Sequence, residues 1–321
     1  MPKAVLISSL PQDQVDIVFS YAPPGFDVAS LSARASEEEK VAFAADADFL
    51  ILFGVRPSEA LLKASPKLKH VQLLSAGYEG VDLAVTDALG IPVSNNGGAN
   101  SYAVAEAAIG LILSLMRRLP EGDAFIRNNE WRGDILGYDT FELAGKTAGI
   151  VGLGNIGKKV AKRLHAFEMD LLYADPVRDE ALERELGLQH LPLAELLPRV
   201  DVLTLHVPYL RATHRLISDP ELASMKDTAI LINTCRGAVV DEAALVRALQ
   251  GKQIRGAGLD VFEREPLQAE SPLLEMPNVQ LYAHNAGTTY DTFFRRAEFA
   301  FRNIQGIWQG NEPLAVVRPE E

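Results

Sequence analysis

The chain has 321 residues, 48% of them hydrophobic and 23% charged, enough for two ordinary domains with cores of their own. Its 31 basic and 43 acidic side chains give a net charge of −12, which argues against nucleic acid or an anionic membrane as a partner. No apolar run approaches the roughly 18 residues of a membrane span, and the single cysteine, Cys235, excludes an internal disulfide framework. The opening "MPKAVLISSLPQDQ" is too weak for a secretory leader and reads as a first strand, so a soluble cytoplasmic protein is expected. Along the first hundred residues "KAVLI", "ADFLIL", "HVQLL" and "IPV" predict short strands, with helices at "EEEKVAFAA" and "SEALLKA". "AVAEAAIGLILSLM" carries Glu106 and predicts a buried helix. From about residue 145 apolar runs recur more regularly: "TAGIVGL", "MDLLYAD", "VDVLTLHVP", "TAILINT", "RGAGLDVF" and "NVQLYAH". The helices "NIGKKVAKRLHAF", "PLAELLP" and "DEAALVRALQ" lie between them. Continuous apolar strands separated by helices indicate a parallel sheet covered on both faces. Ligands of such sheets bind beyond the carboxyl ends of the strands.

In "TAGIVGLGNIGKKVAKRLHAF", Gly152, Gly154 and Gly157 form G-x-G-x-x-G between a strand and a helix. The first glycine permits a tight turn, the second lets a pyrophosphate approach the backbone, and the third lets helix and strand pack closely. The amides and dipole of the helix N-terminus attract the phosphates. The next strand ends in Asp175, whose carboxylate suits the adenosine ribose hydroxyls and repels a 2′-phosphate. These residues predict a dinucleotide site that prefers NAD to NADP, with Arg178 able to soften the preference by turning inward. About a hundred residues with their own strand–helix pattern precede the motif, and the apolar helix "YDTFFRRAEFAFRNIQGIWQG" follows the last strand. A cofactor domain over residues 99–288, inserted in a substrate domain made of 1–98 and 289–321, is therefore expected. A cleft would lie between them, with hinges near 97–101 and 285–289.

"GIVGLGNIGKKVA", "LHVPYLRATHRLI", "LINTCRGAVVDEAALVRAL" with "GAGLDVFEREPL", and "AHNAGTT" together resemble the D-isomer-specific 2-hydroxyacid dehydrogenase family over essentially the whole chain. The resemblance implies an α/β fold of two domains, a Rossmann-type doubly wound parallel sheet inserted in a smaller flavodoxin-like substrate domain. It also implies NAD(H) as cofactor, a homodimer, and interconversion of 2-keto acids and D-2-hydroxy acids. Helices near 101–118 and 291–309 would bridge the domains. Carried over by position, the catalytic residues are Arg236, Glu265 and His284. Cofactor contacts fall on Gly152, Gly154, Asn155, Ile156, Gly157, Asp175, Pro176, His206, Val207, Pro208, Thr213, Thr234, Cys235, Asp260 and Gly287, with Val104 under the nicotinamide. Ser75, Ala76 and Gly77 match the carboxylate cradle, Tyr78 faces the substrate, and Asn100 is a substrate-side asparagine. No metal is expected. The chain departs from the family around the histidine, where a proline and an aliphatic residue are usual and Ala283 and Asn285 stand instead.

The residues support part of this without the resemblance. Hydride transfer to a 2-keto acid needs a cation to bind the carboxylate and polarise the carbonyl, and an acid to protonate the new alkoxide. Arg236 follows a strand, and its planar guanidinium can bind oxygens bidentately. Histidine is the natural acid near neutrality. Of six histidines only His206 and His284 directly follow strands, which leaves both open; the resemblance favours His284, with His206 lining the cofactor. Glu265 follows "GAGLDVF" and could hold an imidazole in one tautomer, but its pairing with His284 rests on the resemblance. Cys235 has no assisting base beside it and reads as a small pocket residue. A small keto acid such as glyoxylate or hydroxypyruvate is favoured. Arg56 matches an arginine that phosphoglycerate dehydrogenases use, whereas Tyr78 stands where a phosphate-binding member more often has a small residue. A non-enzymatic NAD(H)-sensing binding protein and a phosphite- or phosphoglycerate-type dehydrogenase on the same scaffold are the alternatives.

Overall fold

The computed structural model describes residues 1–131, 137 and 139–318. It divides into two compact units, Met1–Asn100 with Thr288–Glu321, and Ser101–Gly287.

In the first unit β1 (Lys3–Ser8), β2 (Asp27–Ser32), β3 (Phe49–Phe53), β4 (His70–Leu73) and β5 (Val93–Ser94) pair in parallel in the order β2-β1-β3-β4-β5, a flavodoxin-like arrangement. Alternation along β1 and β3 sends Val5, Ile7, Leu50 and Leu52 to one face, against Leu61 and Leu62. Ala4, Leu6, Phe49 and Ile51 go to the other, against Val15 and Val18. Ala297, Ala300, Phe301 and Ile304 of the helix Tyr290–Trp308 complete that second face, so the late helix belongs to the first unit. β2 was not legible as a strand, because "DVASLS" lies at the sheet edge and none of its residues is fully buried.

In the second unit the helix Ser101–Arg117 precedes β6 (Thr147–Val151), β7 (Asp170–Ala174), β8 (Gln189–His190), β9 (Val202–Leu205), β10 (Ile230–Asn233), β11 (Gly256–Leu259) and β12 (Val279–Leu281). The sheet order is β12-β11-β10-β9-β6-β7-β8 and every pairing is parallel, a Rossmann-type doubly wound sheet. The helix Ser101–Arg117 buries Ala105, Ala108, Ile112 and Met116 against Ile150, Val202 and Ile232. Gly149 lies where an added Cβ would come 2.5 Å from Leu196 Cδ2, so a bare backbone is needed for the opposite face to close. Strand order reverses between β6 and β9, and Val151 is in register with Leu205. The loops that begin at Gly152 and His206 therefore leave the sheet side by side. After this unit, β13 (Val316–Val317) closes the first sheet antiparallel to β5. No described helix is long and apolar enough to cross a membrane.

Two buried histidines set an acid limit on stability. Burial pushes His70 in β4 down to about 4 and His206 after β9 to about 3, from an ordinary 6.5. The unfolded chain takes up protons below pH ~6.5 that the folded chain refuses, so stability falls as pH drops from there towards these values. The slope is about 1.4 kcal/mol per pH unit for each group. His70→Leu should flatten the fall in denaturant-unfolding midpoint between pH 6.5 and 5. An unchanged slope would show that His70 is not one of the groups responsible.

Candidate active site

The glycine motif occupies the turn at the switch point of the second sheet. Gly152 has φ +92°, and a Cβ there would meet the His206 carbonyl oxygen at 2.7 Å, so only glycine lets the loops after β6 and β9 touch. A Cβ on Gly157 would sit 2.0 Å from the Gly152 carbonyl oxygen, which seats the helix Gly157–Ala166 directly on the turn. Around Gly154, by contrast, a Cβ would meet nothing within 4 Å. Asn155 beside it is exposed, and Ile156 packs into the core below. Asp175 reaches back into this turn: Oδ2 accepts the Leu153 N–H at 2.7 Å and Oδ1 accepts that of Val177 at 2.8 Å. A carboxylate has about four acceptor positions, so both oxygens retain capacity for ribose hydroxyls. Pro176 is exposed next to it.

Beyond β9 and β10 the cofactor-side candidates divide. His206 is buried, with Nε2 2.8 Å from Thr204 Oγ1, while its Nδ1 and the Thr234 hydroxyl are buried polar atoms without a hydrogen-bond partner. Held at about 3, His206 is neutral near physiological pH and is no source of an imidazolium proton. Val207 packs over Gly152, and Pro208 is exposed. Thr213 turns into its own loop, where Oγ1 donates to Pro208 O at 2.7 Å and accepts from Leu210 N at 2.8 Å. Cys235 is buried, which pushes its thiol up to about 11, and Sγ donates to Asn233 Oδ1 at 3.1 Å, an arrangement for packing and not for nucleophilic attack. Val104 is buried on the helix Ser101–Arg117, and Gly287 is half-buried at the end of the unit. Open space at Gly154, a carboxylate with spare acceptor capacity at the same turn and two orphaned polar atoms after adjacent strands fit a dinucleotide laid across the carboxyl ends of the sheet.

The catalytic candidates lie on the loops after β10, β11 and β12. Asn233, which the sequence reading did not single out, ends β10 and ties the first loop together. Its Oδ1 accepts the Cys235 N–H at 3.1 Å, and Nδ2 donates to the Arg236 carbonyl at 3.0 Å. The only sequence signal was a polar residue closing an apolar strand. Arg236 is half-buried, and its Nη1 donates to Cys235 O at 2.6 Å. Gly237 then presses on the next loop, for a Cβ there would fall 1.9 Å from both C and O of Phe262. That second loop carries Glu265, whose Oε1 accepts the Phe262 N–H at 3.1 Å and whose Oε2 lies 2.6 Å from His284 Nδ1. Residues 19 apart in the chain thus form one acid–imidazole pair. Its carboxylate fixes the proton on Nδ1 and leaves Nε2 as the free ring nitrogen. The imidazole is 49% exposed, so it can reach a ligand.

His284 has φ 52°, a left-handed conformation that a side chain adopts only when its surroundings impose it. Asp260 imposes it. The Asp260 carbonyl accepts the His284 N–H at 2.7 Å, and its carboxylate accepts the N–H groups of Asn285 at 2.8 Å and Ala286 at 3.1 Å. Burial raises the Asp260 carboxyl, and the two backbone donors oppose that shift. Ala283 and Asn285 are both exposed, so the histidine loop is shaped by Asp260 and not by the residues that depart from the family pattern.

In the first unit the Ser75–Tyr78 loop leaves β4. Ser75 Oγ donates to Gly77 O at 2.7 Å, Asn95 Nδ2 to Ala76 O at 3.3 Å, and Asn96 N to Ser75 O at 3.0 Å. Tyr78 packs half-buried on the core, while Asn100 is buried with Oδ1 lacking a hydrogen-bond partner. Arg56 lies over Gly80 of the same loop, where a Cβ would meet its Cγ at 2.9 Å. Among the described residues no acidic, cysteine or histidine cluster could hold a metal.

Known proteins agree with this architecture. Residues 109–286 match the family model for the NAD binding domain of D-isomer specific 2-hydroxyacid dehydrogenases. A glyoxylate reductase of Korarchaeum cryptofilum is 40% identical over 281 residues, 86% of this chain and 84% of the relative. A glyoxylate reductase of Aeropyrum pernix is 38% identical over 324 residues, 99% of this chain and 93% of the relative. The apo structure of Rhodotorula graminis D-mandelate dehydrogenase superimposes with a TM-score of 0.88 at 28% identity, covering 100% of this chain and 99% of that one. A Rossmann-type sheet with its glycine turn at the switch point, matched by these relatives over nearly the whole length, identifies the chain as an NAD-dependent oxidoreductase of the D-isomer specific 2-hydroxyacid dehydrogenase family.

Proposed function

We propose that the chain reduces glyoxylate and similarly small 2-keto acids with NADH, using His284 as proton donor and Arg236 to bind and polarise the substrate. The observation that carries the reading is the 2.6 Å contact between His284 Nδ1 and Glu265 Oε2, on loops beyond the carboxyl ends of the cofactor sheet. The names of the Korarchaeum and Aeropyrum relatives support the choice of glyoxylate. In this reading Gly154, Asn155 and Ile156 receive the pyrophosphate and Asp175 the adenosine ribose. His206, Val207, Pro208, Thr213, Thr234, Cys235, Asp260 and Gly287 line the rest, with Val104 under the nicotinamide. Bound NADH supplies the hydride. Arg236 pairs with the substrate carboxylate and draws electron density onto the carbonyl oxygen. His284, protonated at both nitrogens, gives the Nε2 proton to the oxygen as it becomes an alkoxide. Glu265 keeps the ring oriented through Nδ1 and stabilises its positive charge. Ser75, Ala76, Gly77, Tyr78 and Asn100 are the further substrate contacts. The enzyme is proposed to act in the cytoplasm as a homodimer on a small molecule, with no part for nucleic acid.

The test is a screen of NADH oxidation across a panel of 2-keto acids, repeated with NADPH. Glyoxylate or hydroxypyruvate should give the highest kcat/KM, and NADH should exceed NADPH, because Asp175 opposes a 2′-phosphate. Turnover of phosphite with NAD but of no keto acid would overturn the substrate assignment, and comparable values for the two cofactors would overturn the role of Asp175.

A further inference from the structure

Two basic side chains could favour a 2′-phosphate, Arg178 three residues past Asp175 and Lys158 on the helix after the glycine motif, and both are engaged elsewhere. Arg178, three residues along, turns to the helix Glu180–Leu186 and grips Glu183 with two bonds, Nε to Oε1 at 3.0 Å and Nη2 to Oε2 at 2.6 Å. Glu183 is the better-buried partner, with its side chain 14% exposed against 55% for Arg178. Its Oε1 also accepts the Tyr173 hydroxyl at 2.6 Å, and that hydroxyl accepts the Asp179 N–H at 3.1 Å. The glutamate is thus anchored from below by β7 while it holds the arginine from the side. Lys158, on the first turn after the glycine motif, pairs with Asp179 Oδ2 at 2.7 Å, and Asp179 caps the same helix through Oδ1 and Leu182 N at 3.0 Å. Two carboxylates at the start of one helix therefore hold both cations beside the adenosine end of the cofactor site.

We propose that Glu183 is a specificity-determining residue: by gripping Arg178 in a bidentate pair anchored on Tyr173, it withholds the cation that would otherwise accept a 2′-phosphate. Phosphate recognition needs a guanidinium free to present its fork. The NAD preference then has two parts, repulsion by Asp175 and withdrawal of Arg178. The inference rests on the reading of Asp175 as the ribose-side residue.

The experiment measures binding of adenosine 2′,5′-bisphosphate and 5′-AMP to the protein by calorimetry, for the wild type, Glu183→Gln, and Glu183→Gln combined with Arg178→Ala. Glutamine keeps the size of the side chain and an acceptor for Tyr173, so the helix is retained while the ion pair is lost. Glu183→Gln should tighten the bisphosphate about tenfold, the worth of one charge-assisted hydrogen bond, with 5′-AMP unchanged. The gain should vanish in the double variant. Unaltered bisphosphate affinity in Glu183→Gln, or a gain that survives removal of Arg178, would overturn the proposal. Should 5′-AMP and NADH bind equally well to the wild type and to Asp175→Ala, the underlying reading of Asp175 fails instead.

Discussion

Replacing His284 with alanine should lower kcat/KM for keto-acid reduction about 10²- to 10⁴-fold, the usual contribution of a positioned acid. The loss should fall on turnover and not on folding or cofactor affinity. The ring is half-exposed and supports no core, and the left-handed backbone at this position is held by Asp260 through main-chain bonds that the substitution keeps. Thermal unfolding and NADH binding should therefore stay near wild type. His206→Ala is the informative comparison. That side chain is buried and held in its neutral form, so its removal should weaken cofactor binding or stability without abolishing the acid step. Full keto-acid reductase activity in His284→Ala would remove the proposed donor.

The second large effect is expected at Gly237. An added methyl would lie 1.9 Å from the Phe262 backbone, which cannot move aside as a side-chain tip can. The loops after β10 and β11 must separate, and with them Arg236 and Glu265. A displacement of about 1 Å among catalytic groups can cost ~10²-fold in rate, and forcing a methyl into a closed contact typically costs about 1–3 kcal/mol of stability. Gly237→Ala should show both losses. Gly154→Ala is the control, because open space surrounds that position: its melting temperature should hold while NADH binding weakens. Equal stability and activity in Gly237→Ala and wild type would mean that the contact between the two loops does not organise the site.

What the sequence revealed and what it hid follow from where the causes lie. β6, β9 and β10 were legible because both faces are covered, so their apolar runs are continuous. β2, at an edge, and β8 and β13, two residues each, carry no such run. The glycine motif was readable because a turn, the close approach of Gly157 to the Gly152 carbonyl and a helix start fall within six residues, although the contact of Gly152 with the His206 loop became visible only with the sheet assembled. The pairing of Glu265 with His284 was not, since it depends on the parallel placement of β11 beside β12, and only the family resemblance proposed it. Asn233 was hidden for the same reason, its partners being backbone groups brought close by the fold, whereas Asp260 is legible as a strand-end carboxylate able to satisfy loop amides, with only the identity of those amides, Asn285 and Ala286, left to the fold. The sequence leaves Arg178 able to turn inward; its engagement by Glu183 is visible only with the helix after β7 in place.

The central claim, that His284 and Glu265 act as one acid–base couple, is tested most directly by a double-mutant cycle on kcat/KM for keto-acid reduction with wild type, Glu265→Gln, His284→Ala and the double variant. The 2.6 Å contact between Glu265 Oε2 and His284 Nδ1 makes the two side chains one unit, so Glu265→Gln should cost activity only while His284 is present, and the double variant should be no slower than His284→Ala. Losses that simply multiply, with no coupling between the two substitutions, would contradict the couple.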